Sequence, residues 1–183
     1  MGINLLDNRY EEIKKIVVDM FERYDVNCIP VNGFEIAIKM GVSVRPYSSF
    51  NEKNRLLAYE VSEDGFLYKK GKINCIYYND EKSYGRINNT ILHEIGHIVL
   101  GHLQDSELAE KEVNFFAKYA LVPPVLVHKL KLDNPIDIAN IFDVSYEAAY
   151  YAYSYYQKWL QFGSQYYKDY EIKLLKLFNF NVA

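Results

Sequence analysis

Between Asp7 and Tyr24 the apolar residues Ile13, Ile16, Val17, Met20 and Phe21 recur at helical spacing, with Glu11, Glu12, Lys14 and Lys15 on the opposite side. This pattern predicts an amphipathic helix. Pro30 and Asn32-Gly33 punctuate the chain, and a short helix from Phe34 to Met40 meets a ready stop at Gly41. Extended segments come next. Val42 to Tyr47, with Pro46 inside it, reads as an edge strand. Leu56 to Val61 and Phe66 to Lys69 read as strands joined through Ser62-Glu63-Asp64-Gly65. Lys72 to Tyr78 is the best strand of the set. After the polar loop Asn79 to Gly85, helical periodicity returns from Ile87 to Leu100 and closes at Gly101. Asp105-Ser106 marks a second helix start, and that helix ends near Leu121, before Pro123-Pro124. Val125 to Leu132, Ile136 to Phe142 and Ser145 to Phe162 complete a helical remainder. The expected fold class is α+β: an N-terminal helix, a small antiparallel or mixed sheet, two central helices and a helical C-terminal tail.

One pentad within this pattern carries chemistry. His93-Glu94-Ile95-Gly96-His97 lies inside the amphipathic helix Ile87 to Leu100. Residues four apart share a helix face, so both imidazoles can reach one Zn²⁺ at about 2.0–2.1 Å. Glu94 projects roughly 100° around the helix and can address the attacking water instead of the metal. Gly96 costs about 1 kcal/mol of helix propensity against Ala, which fits something packed closely over the helix. His102 follows Gly101, where the helix breaks, so its direction cannot be read; it can support a ligand or cap the helix end.

A catalytic zinc needs a third protein ligand and an open position. The helix after Asp105 offers Glu107, Glu110 and Glu112. Glu110 and Glu112 flank the buried stripe of Ala109, Val113, Phe116, Ala117 and Ala120 at similar angles, so periodicity leaves both open. Asn114, one turn below Glu110, modestly favours Glu110, because an amide there can hydrogen-bond a ligand. Glu107 fits best as a first-turn residue complementing the helix dipole. Arg86 is a candidate to support the transition state, and an ion pair at the start of the helix explains it equally well.

Composition narrows the setting. The chain has 183 residues, 21 basic against 24 acidic, and a formal net charge of −3, so no broad positive field favours nucleic acid. Cys28 and Cys75 stand far apart with no metal-ligand spacing, which reads as a reducing compartment. No apolar run approaches the roughly 18 residues of a membrane span, and the N-terminus lacks signal-peptide character. A cytoplasmic location and no membrane partner are expected. Tyrosine crowds the stretch from Tyr146 to Tyr170, which suits an interface or a wet groove and equally suits simple packing. Exposed aromatics there leave a homo-oligomer open.

Pro30-Val31-Asn32, Phe34-Glu35-Ile36-Ala37, Gly41-Val42-Ser43-Val44, the pentad with Leu100 and His102, and Glu110 to Ala117 up to Leu121-Val122-Pro123 together resemble the ImmA/IrrE-type zinc metallo-endopeptidases of bacteria and their mobile elements. The resemblance covers roughly residues 10 to 150. It implies a zincin-like helix bearing His93 and His97 as zinc ligands and Glu94 as general base, packed on a second helix that supplies Glu110 as third ligand, with Glu112 as the alternative. Val113 departs from the alanine usual before the Asn. The resemblance also implies regulated proteolysis of a helix-turn-helix transcriptional repressor, an anti-repressor role found in phage and other mobile elements. Residues 1–132 are expected to form the metallopeptidase domain and residues 133–183 a helical, tyrosine-rich tail packed on it and open to partner or substrate recognition, a role the resemblance does not reach.

Two other readings stand beside it. One is a non-catalytic regulatory protein that binds a repressor around a structural or lost zinc site, which would need His102 or Glu107 as a fourth ligand. The other is a nucleic-acid binder built on Ile136 to Leu160, whose second helix carries only Lys158 as a basic residue, poor equipment for phosphate contacts.

Overall fold

Helix α1 (Asp7–Arg23) buries Ile13, Val17, Met20 and Phe21 as its spacing predicts, while Ile16 is half-buried and Val18 and Lys14 are buried outside that stripe. The computed structural model describes residues 7–71, 73–104, 106–162 and 166–182. Helix α2 (Gly33–Lys39) starts at Asn32, whose side chain accepts from the Phe34 and Glu35 amides. Its entrance is tied to the centre of the fold by buried Asn88, which accepts from Gly33 N at 2.7 Å and donates to Val31 O at 2.9 Å. Each satisfied backbone group there avoids a burial penalty of about 1–3 kcal/mol.

Strand β1 (Ser43–Pro46) leads through a 3-10 turn at Tyr47–Ser49 into helix α3 (Glu52–Val61). Strands β2 (Gly65–Lys70) and β3 (Ile73–Tyr78) follow. The sheet order is β1-β3-β2, with β1 parallel and β2 antiparallel to β3. The sheet is therefore mixed, and Ile76 at its centre faces both Val44 and Leu67 in register.

Helix α3 corrects the sequence reading, which made Leu56 to Val61 a strand. Asn51 caps this segment by accepting from the Asn54 amide, and Glu52, Lys53, Leu56, Leu57 and Ala58 are good helix formers. A short apolar run does not reveal its type by periodicity alone. Ser62 to Gly65 accordingly joins a helix to a strand. Ser62 Oγ accepts from the Asp64 and Gly65 amides, and the hairpin lies between β2 and β3 instead. Leu56, Leu57 and Val61 stay exposed.

Helices α4 (Tyr84–Val99) and α5 (Glu107–Leu121) pack on each other at the centre. Ile91, Leu92 and Ile95 from α4 and Val113, Phe116 and Ala120 from α5 are fully buried. Ser106 caps α5 by accepting from the Ala109 amide, while Asp105, the other half of the expected start signal, lies outside the described residues. The tail comprises α6 (Pro124–Lys129), α7 (Pro135–Phe142), α8 (Tyr146–Phe162) and α9 (Asp169–Leu177). Helix α9 has no counterpart in the sequence reading.

Tail and N-terminal helix meet at a charged node. Glu11 Oε2 accepts from Lys168 Nζ at 2.7 Å and Tyr170 OH at 2.9 Å, and Glu11 Oε1 from Lys14 Nζ at 2.7 Å. Burial would raise the Glu11 pKa, but the Lys14 and Lys168 hydrogen bonds outweigh it and hold the carboxyl down to about 2. Trp159 lies between Tyr156 and Tyr167 and donates from Nε1 to Glu171 at 2.7 Å. No helix among the described residues is long and apolar enough to cross a membrane.

Candidate metal centre

On α4 the four-residue spacing puts His93 and His97 side by side, their ring centroids 5.1 Å apart. Gly96, between them in sequence, faces α5. A Cβ at that position would stand 3.1 Å from Phe116 Cδ1 and 3.2 Å from Val113 Cγ1. The bare glycine lets α5 approach, and this approach brings Glu110 under the two imidazoles.

Glu110 Oε2 lies 3.3 Å from His93 Nε2, and Glu110 Oε1 lies 3.3 Å from His97 Nε2. Each oxygen of the Glu110 carboxylate thus faces a different imidazole, which sets the carboxylate between the two rings. The three ligand atoms all lie within 4.8 Å of one another. Among the described residues this is the His/Cys/Asp/Glu group able to hold a metal ion. Burial lowers the His93 pKa, with the Glu110 charge and an Asn114 hydrogen bond opposing it, and a neutral imidazole is the form a metal binds.

The remaining candidate residues separate clearly. Asn114 lies beside His93, where its side chain opposes the effect of burial on the imidazole. Glu112 takes no part in the cluster; Arg9 occupies it, with Nε 2.9 Å from Oε1 and Nη2 2.5 Å from Oε2. That guanidinium, more than burial can oppose, keeps the Glu112 carboxyl below its usual range. Gly101, with φ +72°, reverses the chain after α4. The His102 ring folds back so that Nδ1 is 3.3 Å from His97 Nδ1 and Nε2 is 3.1 Å from Glu112 Oε2. Arg86 forms a fork with Asp64 at 2.6 and 2.9 Å and is not brought to the cluster. Glu107 pairs with Lys111 on the helix surface.

A cleft of about 530 Å³ opens over the cluster. His93, Glu94, His97 and Glu110 line its floor, and Phe66 and Leu67 of β2 line its wall. Strand β2 is an outer strand of the sheet, and Lys69 Nζ donates to His102 O at 2.8 Å, fastening the strand to the loop after α4. Two participants had no sequence signal. Lys69 reaches across 33 positions and Arg9 across 103, and nothing local to either residue announces such a partner.

The model of the Peptidase_M78 family, the IrrE N-terminal-like domain, matches residues 39–154. The chain belongs to this family. No curated protein matches it. The IrrE-like segment takes in the whole sheet, both ligand-bearing helices and the first half of α8. Helix α1, with Arg9, precedes it. A peptidase-family domain therefore surrounds a cluster of two histidines and one glutamate competent to coordinate a metal ion.

Proposed function

We propose that the protein is a zinc-dependent endopeptidase with Glu94 as general base. The observation that carries this reading is the cluster itself. Two imidazoles and one carboxylate bring their ligand atoms within 4.8 Å of one another, and the glutamate next to His93 in sequence lines the same cleft. Two histidines with one glutamate are a donor set that suits zinc and leaves a coordination position for solvent or substrate. Zinc bound there supplies Lewis acidity, lowering the pKa of water and polarising the scissile carbonyl.

The chain's own residues do the rest. Glu94 accepts the proton of the attacking water and returns it to the leaving amine. The outer edge of β2, beside the cluster, offers backbone groups to a substrate held in extended form, which exposes the bond to be cut. Val61 and Leu103, both exposed at the cleft, favour apolar side chains flanking that bond.

On this proposal residues 1–132 carry the peptidase machinery and residues 133–183 recognise the substrate, a helix-turn-helix transcriptional repressor, in the cytoplasm of a bacterium or its mobile element. A second cleft, of about 670 Å³, supports that role for the tail. Phe115 and Val122 from α5 and its end face Tyr151 and Tyr155 of α8 across it. The competing reading, a non-catalytic repressor-binding protein with a structural zinc site, needs a fourth protein ligand. His102 is turned to Glu112 and Glu107 to Lys111, which favours the open, catalytic arrangement.

The test is metal analysis of the purified full chain, followed by incubation with a candidate repressor and mass analysis of the products. Glu94→Gln is expected to retain one zinc per chain and to lose cleavage by at least 100-fold, the scale of a general base. Undiminished cleavage by Glu94→Gln removes the mechanism, and repressor inactivation without cleavage supports the binding-protein reading.

A further inference from the structure

Behind the candidate metal ligands runs a line of side chains whose hydrogen-bond directions follow from one another when the His102 imidazole is neutral. Glu112 is nearly buried, and its carboxylate accepts from Arg9 through both oxygens. A carboxylate only accepts, so the contact of 3.1 Å between its Oε2 and His102 Nε2 requires the proton on Nε2. In the neutral form that single proton is then spent on Glu112, which leaves His102 Nδ1 as an acceptor. That atom faces His97 Nδ1 at 3.3 Å, so His97 is the donor and carries its proton on Nδ1. His97 Nε2 then presents its lone pair toward Glu110, where the metal ligands converge.

We propose that Arg9, Glu112 and His102 are positioning residues of the metal centre, holding His97 in the tautomer and ring orientation that offer Nε2 to the ion. The inference rests on the cluster holding a metal and extends that reading to α1, a helix ahead of the family-matched segment. His93 has its own, shorter support in Asn114. The two ligands are thus held differently: one by a neighbour on α5, the other by a three-residue line that crosses to the start of the chain. A ring oriented by an outer hydrogen bond binds metal more tightly, and loss of such a partner typically costs 10–100-fold in affinity.

The competing explanation is that Arg9 and Glu112 merely pin α1 to α5. Arg9 also pairs with Glu12 on its own helix, Nη1 to Oε2 at 3.0 Å, which supplies a control outside the line. Zinc affinity of the full chain, measured by chelator competition, is expected to fall about 10–100-fold in His102→Phe, Glu112→Leu and Arg9→Met. Arg9→Lys is expected to recover part of the loss, and Glu12→Gln to match the wild type. Unchanged affinity in all three line variants overturns the inference, as does an equal loss from Glu12→Gln.

A measurement on the unmodified chain covers variants that fail to fold. Long-range proton–nitrogen NMR of histidine-labelled, zinc-loaded protein is expected to show His97 protonated on Nδ1 and His102 on Nε2. The opposite tautomer at His102 overturns the inference while zinc binding stands. Wild-type protein that takes up no zinc overturns the underlying reading and this inference with it.

Discussion

At Gly96 a hydrogen stands where any other residue places at least a methyl group, and the distance between two ligand-bearing helices depends on it. The neighbours a side chain would meet, Phe116 and Val113, are themselves fully buried and have little room to give. Alanine would gain about 1 kcal/mol of helix propensity and lose a comparable amount to contacts near 3.1–3.3 Å. Valine adds two further carbons and has no such offset. Gly96→Val is expected to destabilise the fold by about 1–3 kcal/mol in denaturant unfolding and to weaken zinc uptake, because it pushes Glu110 away from the imidazoles. Unimpaired stability and uptake would mean that α5 does not depend on this contact. The pentad was legible in the sequence because its chemistry is local, five residues on one helix. Glu110 and Glu112 were not separable there, because their angles to the buried stripe are alike; the guanidinium that settles Glu112 comes from 103 positions away.

Among the elements, the union of α1 with α9 is electrostatic at its rim and apolar within, where Val17, Phe21, Leu174 and Leu175 are buried. Glu11 is the hub of the charged part. Its folded pKa of about 2 lies below the ordinary 4.5, so its contribution is present above pH 4.5 and disappears as pH falls toward 2. The side chain is 30% exposed, and solvent screening reduces what three hydrogen bonds would otherwise give. Glu11→Gln is expected to cost about 1–2 kcal/mol near pH 7. The gap from wild type should close as unfolding curves are recorded down to pH 2. A gap that does not change with pH would assign the cost to packing. Helix α1 was readable from its spacing and β3 from its β-prone residues. Helix α3 was not, because a six-residue segment with one charged residue, Glu60, fits either period and its cap, Asn51, lies outside the segment. The direction of His102 was hidden for a different reason: Gly101 adopts a left-handed conformation, and the path of a chain after such a residue depends on what it packs against.

For the molecule as a whole, the candidate metal centre joins parts that are remote in sequence: α4 and α5 give the His93/His97/Glu110 cluster and β2 the cleft wall, while Arg9 of α1 reaches Glu112 behind it. Binding to the folded chain alone stabilises it by mass action, about 2.7 kcal/mol when free metal is a hundredfold above the dissociation constant. For a chain of this size such a contribution is worth roughly 5–10 °C in melting temperature. Chelator is expected to lower the melting temperature of zinc-loaded wild type by about that much and to leave His97→Ala unmoved. An equal effect on both would place the metal elsewhere. The α+β class, with its helix, small sheet and central helical pair, follows from patterning that each segment carries for itself. The mixed strand order and the mating of chain start with tail depend on contacts between distant segments, which no window of sequence contains.

Trp159 is the chain's one tryptophan, wedged between two tyrosine rings and hydrogen-bonded to Glu171 of α9. Its emission is therefore an optical gauge of how firmly α8 and α9 are seated. Because the indole sits in the tail, that light reads the seating of the tail, and the cleft needs a separate label of its own.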